Sequence, residues 1–228
     1  HPLWTVAPLA VAFALAGLAS TASGSIIFGF DTNFTADPNT VFTYTGRGGT
    51  LQAHTTVDLS VNIGGDRTVF DDADFDFLGS WVSDDGVEEV FLDGNFVYTA
   101  SAVDGGQVIL SGSFVGAEME IHTTFGFAGA GNGGGLPNAM DYVPGPAFLA
   151  LPAAADIVDL IPIEDMSFTL TQIAYDPQTN PVIDGFTAAS SSFSGSAQAE
   201  LIPEPTSMAL LGGLGLLGAW ARRRRRGR

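Results

Sequence analysis

Aspartates are concentrated in residues 71–77 (DDADFDF). In an extended chain Asp72, Asp74 and Asp76 lie on one face, because successive side chains of a strand alternate between two faces. Carboxylate oxygens are the ligands that Ca²⁺ prefers, so these three residues are a candidate calcium site. The segment is not an EF-hand loop, since Phe77 stands where that loop needs glycine. The alternative is a solvated acidic strand edge that discourages pairing with other sheets.

Histidines and carboxylates also share faces on two predicted strands. Glu118, Glu120 and His122 alternate on one strand, and His54 lies near Asp58 on another. Imidazole and carboxylate groups on one face could bind a metal or carry out acid–base chemistry. The same pattern is typical of a solvent-exposed polar face, and we favour that interpretation.

The usual signatures of catalysis are sparse in this chain. There is no cysteine, which excludes disulfides, thiol chemistry and zinc–thiolate sites. There is no G-x-S-x-G motif, and His54 and His122 are the two histidines downstream of the N-terminal apolar run. We therefore expect a protein that is not an enzyme and has no catalytic residues. A polysaccharide hydrolase stays open as an alternative, because a glycosidase needs only two carboxylates.

The part of the chain before residue 202 is strongly acidic. It contains 24 of the 25 Asp and Glu residues, and its basic side chains are Arg47 and Arg67. Because like charges repel, we expect no binding to nucleic acid or to anionic lipid. The same charge attracts divalent cations, so calcium is the one candidate cofactor.

Alternating apolar and polar residues predict the strands that position these groups. Residues 51–63 and 117–127 alternate in the manner of half-buried strands. Asp93-Gly94 and the segment 104–106 (DGG) lie between apolar runs and predict hairpin turns. We expect about nine or ten short strands and an all-β fold, an antiparallel β-sandwich or jelly roll.

Two stretches depart from this alternation. Residues 128–165 contain Gly133-Gly134-Gly135 and several prolines, which predict a long excursion with a helical turn near residues 153–160. Residues 190–196 are rich in serine, and we expect a polar lead-in to the C-terminal segment.

The C-terminal segment has three parts in a fixed order. A motif of Pro203, Glu204 and Pro205 is followed by the apolar residues 206–221 and then by an arginine cluster. The cluster consists of Arg222, Arg223, Arg224, Arg225 and Arg226. As a helix, the 16 apolar residues would extend roughly 24 Å, close to the hydrocarbon thickness of a bilayer. We therefore predict a C-terminal transmembrane helix whose arginines stay in the cytoplasm.

This order and spacing resemble the PEP-CTERM sorting signal of Gram-negative bacteria that produce exopolysaccharide. The resemblance implies processing by an exosortase, a membrane-embedded enzyme, with Pro203, Glu204 and Pro205 as its recognition residues. It also implies a precursor anchored in the inner membrane and a product at the cell surface or in the extracellular matrix. Ile202 stands where the family usually has valine. The alternative is an ordinary C-terminal anchor that is never cleaved.

The N-terminal residues agree with export. Residues 6–18 (VAPLAVAFALAGL) form an apolar run of signal-peptide length, and residues 20–22 are small enough for cleavage. No Lys or Arg precedes the run, so we expect that the basic n-region is missing from this sequence. The predicted organisation is a signal helix at 1–22, an exported β-sandwich domain at 23–201 and a sorting tail at 202–228.

The leading functional hypothesis is a non-enzymatic protein of the cell surface or of an exopolysaccharide biofilm matrix. Exosortase is its predicted processing partner, and extracellular polysaccharide is a candidate partner. The alternatives are a calcium-dependent carbohydrate-binding module and a secreted polysaccharide hydrolase.

Overall fold

Antiparallel strands dominate the computed structural model, which describes residues 25–31, 42–122, 127–131 and 140–201. The compact unit that contains these strands extends from Gly24 to Glu200. The all-β antiparallel class is confirmed, and the described residues form ten strands. The strands are β1 Ser25–Asp31, β2 Phe42–Tyr44, β3 Thr50–Ile63, β4 Asp66–Asp84, β5 Glu89–Thr99, β6 Val108–His122, β7 Phe127–Gly131, β8 Met140–Pro144, β9 Ile157–Ala174 and β10 Phe186–Leu201.

The ten strands form one continuous sheet rather than the two separately bonded sheets of a sandwich. Strands β3 to β7 pair in sequence order, β7 pairs with β9, and β9 pairs with β10. The short strands β1 and β2 each pair with both β10 and β3, so the cycle of pairings closes. The two layers expected of a sandwich are therefore connected by backbone hydrogen bonds.

Aromatic side chains fill the interior of this closed sheet. Phe75 of β4 lies 5.0 Å from Phe30 of β1 and 6.4 Å from Phe193 of β10, measured between ring centroids. Phe42 of β2 lies 5.9 Å from Phe168 of β9. Because these strands are not neighbours in the sheet, their rings meet across the interior and form the core. Burial of such rings is the main stabilising contribution in a chain without disulfides.

The hairpin predicted at Asp93-Gly94 is wrong. β5 continues through these residues, and its register with β6 shifts between Leu92 and Gly94. Asp93 Oδ1 accepts a hydrogen bond of 2.7 Å from the backbone N–H of Gly116, which has a φ of +66°. The site is a β-bulge, so the apolar runs on the two sides of Asp93-Gly94 lie in one strand, β5. The turn predicted at residues 104–106 is confirmed, since a 3-10 turn, Ala102–Asp104, connects β5 to β6.

The described part of the excursion predicted over residues 128–165 contains three strands. β7, β8 and the first part of β9 lie in this range. The short helix α1 Pro146–Leu149 lies before the predicted helical turn, and the 3-10 turn Pro152–Ala154 overlaps its first residues. A second short helix, α2 Pro181–Asp184, precedes β10. The serine-rich residues 190–196 lie within β10.

The predicted signal helix at 1–22 and the tail at 202–228 lie outside the described residues. No helix within the described ranges has the length and apolar character needed to cross a membrane. The predicted C-terminal transmembrane helix is thus not among the elements that the structure describes.

Candidate functional site

A polar groove lies on the outer face of strands β2 to β5. Its volume is about 700 Å³, and its lining is Thr43, Gln52, Ala53, His54, Asp76, Phe77, Leu78, Asn95 and Val97. Strand register brings these positions together, because His54 faces Asp76, and Leu78 faces Gln52 on one side and Asn95 on the other. The amides of Gln52 and Asn95 can both donate and accept hydrogen bonds.

His54 and Asp76 form an exposed ion pair in this groove. His54 Nδ1 lies 2.5 Å from Asp76 Oδ1, and the two side chains are 78% and 58% exposed. The hydrogen bond to Asp76 raises the pKa of His54, and the charges of Asp76 and Asp74 act in the same direction. The sequence pointed to Asp58 as the partner of His54, but the β3–β4 register selects Asp76. The pair can exchange a proton with a ligand, and among the described residues that line the groove His54 and Asp76 are the two titratable ones.

The candidate calcium ligands follow one strand but not one regular face. Asp74 and Asp76 are exposed and alternate with the buried Ala73 and Phe75. Asp72 has a φ of +51°, and the β3–β4 register shifts beside it. The backbone N–H of Asp72 donates a hydrogen bond of 3.1 Å to Asp58 Oδ1. A calcium site at Asp72, Asp74 and Asp76 stays a prediction.

A different set of ligand atoms converges at the opposite end of β5. In the described part of the chain, the one such group of at least three His, Asp or Glu residues consists of Glu88, Glu120 and His122, whose ligand atoms lie within 4.8 Å of one another. His122 Nε2 lies 3.0 Å from Glu120 Oε1. From the sequence we expected Glu118, Glu120 and His122 to share one face. The structure brings Glu120 and His122 together with Glu88 instead of Glu118. The contribution of Glu88 depends on the β5–β6 register, where its carbonyl accepts a hydrogen bond from Ile121 N–H.

Negative charge is concentrated around this group. Desolvation raises the pKa of Glu89, and the carboxylates of Glu118, Asp85 and Glu120 raise it further. Asp85 behaves differently, because its Oδ1 accepts three backbone hydrogen bonds in the β4–β5 turn, and these lower its pKa. Two carboxylates and an imidazole suit a divalent transition metal better than Ca²⁺, which prefers oxygen ligands alone.

Asp84 has a structural role that the sequence did not reveal. Its carboxylate accepts hydrogen bonds from Arg47 Nε at 2.8 Å, from Arg47 Nη2 and from Trp81 Nε1 at 2.8 Å. Its side chain is 1% exposed. The Arg47 guanidinium holds the pKa of Asp84 below its ordinary value. Burial, followed by the charge of Asp84, raises the pKa of Tyr44 to about 12.

Comparison with known proteins identifies one segment of the chain. Residues 201–226 match the family model of the PEP-CTERM protein-sorting motif. The chain carries a PEP-CTERM sorting signal. The β domain is not recognised by a family model, and neither curated proteins nor solved structures give a match to the chain.

The PEP-CTERM signal indicates an exported protein that is anchored in the membrane before an exosortase processes it. Pro203, Glu204 and Pro205 lie within the matched residues, as does the cluster Arg222–Arg226, and all of them are outside the described part of the structure. Their individual roles stay predictions.

Proposed function

We propose that the β domain is a non-enzymatic component of the cell surface or of an extracellular polysaccharide matrix. The PEP-CTERM signal at residues 201–226, directly after the domain, is the observation that carries this proposal. The sheet supplies a body that is packed around aromatic side chains and has no disulfides, and the sorting signal supplies export and release.

The chemistry of the groove favours this function over a hydrolase. Glycosidases place two carboxyl groups roughly 5–9.5 Å apart on either side of the scissile bond. The lining of the groove contains a single carboxylate, Asp76, and it is already paired with His54. Asp84 is enclosed by Arg47 and Trp81, so it supports the fold rather than a reaction.

The proposal is tested by following the protein and its activity in the host that processes it. We expect the parent to leave the inner membrane, whereas Glu204→Ala should remain there at full length. The purified mature protein should release no reducing ends from a panel of bacterial polysaccharides. Release of the Glu204→Ala variant from the membrane, or turnover that is lost in Asp76→Asn, would contradict the proposal.

Carbohydrate binding is a second candidate, and the composition of the groove is the observation that favours it. Thr43, Gln52 and Asn95 offer neutral hydrogen-bonding groups of the kind that pair with sugar hydroxyls. Leu78, which is 39% exposed, offers an apolar contact. A glycan array with the parent and with Gln52→Ala/Asn95→Ala tests this: a glycan retained by the parent and lost by the variant supports binding. If no glycan is retained, the domain is a matrix component without this groove function.

A further inference from the structure

The last strand of the domain reaches the sorting motif without a spacer. β10 ends at Leu201, and the matched motif begins at the same residue. Pro203 is the second residue after Leu201 in the sequence. An enzyme that holds Pro203 therefore meets the end of the folded domain.

The end of β10 is part of the sheet. Gln198 faces Ser25 and Ala197 faces Ile26 in the antiparallel pairing with β1. Ala197 and Ala199 are buried, with exposures of 0% and 4%. This segment is therefore fixed both by its pairing and by its packing against the core.

The end of β10 also supplies backbone N–H groups, which are the donors used when a protein binds an extended peptide. Proteins commonly bind an extended peptide by adding it as a strand through main-chain hydrogen bonds. Pro203 and Pro205 have no backbone N–H, so the motif itself supplies few donors. The nearest donors on the N-terminal side are those of Ile202, Leu201 and the residues of β10 before them.

We propose that residues 198–201 are a second recognition segment for the exosortase. The enzyme competes for them with the sheet, which holds Gln198 by its pairing with Ser25 of β1 and Ala199 by burial in the core. This inference rests on the sorting function proposed above. The end of β10 leaves the sheet when the enzyme binds it, so the folded domain controls the rate of its own processing. Unpairing two backbone hydrogen bonds reduces the accessible population roughly 5- to 150-fold, which sets the scale of that control.

A reversible cross-link tests whether β10 must be released. The chain has no cysteine, so the precursor with Ser25→Cys and Gln198→Cys contains one designed pair. These residues are direct partners in the β1–β10 register, and the Cα separations of antiparallel partners, about 4.5–5.5 Å, allow a disulfide. The matched control is Thr50→Cys with Ser80→Cys, direct partners in β3 and β4 that lie away from the end of β10.

Each precursor is incubated with exosortase-containing membranes, once in its oxidised form and once in its reduced form. The rate at which the mature product appears is measured. We expect oxidation to slow the Ser25/Gln198 precursor at least about fivefold and to leave the Thr50/Ser80 precursor unchanged. A flexible four-residue spacer between Leu201 and Ile202 should speed the uncross-linked precursor. The same spacer between Gly105 and Gly106 should not.

Equal rates for the oxidised and reduced Ser25/Gln198 precursor would overturn the inference, as would a spacer after Leu201 that has no effect. A parent precursor that is never processed, while an unrelated PEP-CTERM substrate is processed by the same membranes, would instead overturn the sorting function. The two failures are therefore distinguishable.

Discussion

Arg47 binds the carboxylate of Asp84 through both Nε and Nη2, and so connects the turn after β2 to the last residue of β4. Trp81 donates to the same carboxylate, and the Asp84 side chain is 1% exposed. The backbone N–H of Arg47 also donates to Ile183 O at 2.9 Å, which connects α2 to the same corner. The side chain and the backbone of Arg47 thus connect three segments that are far apart in sequence.

We predict that Asp84→Asn lowers the melting temperature at neutral pH, because it removes the charge that Arg47 binds. The folded state lowers the pKa of Asp84, so its stabilising effect is present above the unfolded value of about 4. It is lost as the pH falls through the lower folded pKa. Thermal unfolding between neutral and strongly acidic pH should show the variant and the parent converging.

The control for this prediction is Asp71→Asn, which changes an exposed carboxylate on the same strand. It should leave the melting temperature nearly unchanged. A difference between Asp84→Asn and the parent that stays constant down to the lowest pH would show that lost packing, not lost charge, is responsible.

The pKa of His54 should fall when its partner is neutralised. Asp76 raises that pKa by hydrogen bonding and by its charge, whereas Asp74 acts by charge alone. Asp76→Asn should therefore move the pKa towards the ordinary value of about 6.5, and Asp74→Asn should move it less. NMR titration of the imidazole protons measures both shifts, and equal shifts in the two variants would contradict the geometry.

The pair formed by His54 and Asp76 also makes the stability of the domain depend on pH in a defined direction. Because the folded pKa of His54 is raised, the contribution to stability is complete below about pH 6.5 and is lost as the pH rises through the folded value. Both side chains are exposed, so the melting temperature should change only slightly between the two sides of this titration. Asp76→Asn should abolish even this small change.

Gly94 should tolerate no larger residue. A Cβ at this position would lie 2.1 Å from Leu78 O and 2.5 Å from Phe114 Cζ. Gly94→Ala should therefore destabilise the domain by roughly 1–3 kcal/mol or more, since a backbone atom must move. The control is its cross-strand partner: Gly79→Ala meets the mobile end of Leu92 at 3.2 Å and should cost less. Chemical denaturation measures both, and a larger loss for Gly79→Ala would contradict the prediction.

Calcium should stabilise the domain weakly if Asp72, Asp74 and Asp76 bind it. Extracellular calcium modules have dissociation constants on the order of 10⁻⁴–10⁻³ M, so about 1 mM Ca²⁺ should raise the melting temperature by roughly 1–6 °C. Asp72→Asn with Asp74→Asn should remove this shift. Mg²⁺ at the same concentration should raise the melting temperature less, because Mg²⁺ demands a more regular coordination.

A second pair of substitutions tests which of the two candidate sites is responsible for a shift in melting temperature caused by a metal ion. Glu88→Gln with Glu120→Gln neutralises the other group of candidate ligands and should leave the calcium shift intact. If Mg²⁺ matches Ca²⁺, or if the Asp72/Asp74 variant keeps the full shift, these aspartates are a solvated strand edge. If the Glu88/Glu120 variant loses the shift instead, the metal binds at the end of β5 and β6.

The strands were predictable where one face is buried and the other wet. Residues 51–63 alternate strictly, and β3 covers them together with Thr50. Asp93-Gly94 misled the prediction because a local turn signal also fits a β-bulge, and here the long-range bond to Gly116 N–H decides between the two. In residues 190–196 serine content suggested exposure, yet Ser190 and Ser191 are buried within β10, since position in the sheet overrides composition.

Contacts between the side chains of the candidate sites were predictable only where both residues lie on one strand. The pairing of His54 with Asp76 spans 22 residues, and that of Arg47 with Asp84 spans 37. Such contacts depend on strand register, which local patterns do not determine. The sorting motif was recognisable from the sequence, because it is defined by the order of residues along the chain and not by a fold.

Closure of the sheet has a consequence for how neighbouring copies of the domain can associate. Strands at an open edge recruit strands from other molecules, which is the first step of fibre growth. In the described residues β1 and β2 occupy the gap between β3 and β10, where such an edge would otherwise lie. At this position a strand from a neighbouring copy finds no unpaired edge to join, so close approach of copies there does not template aggregation.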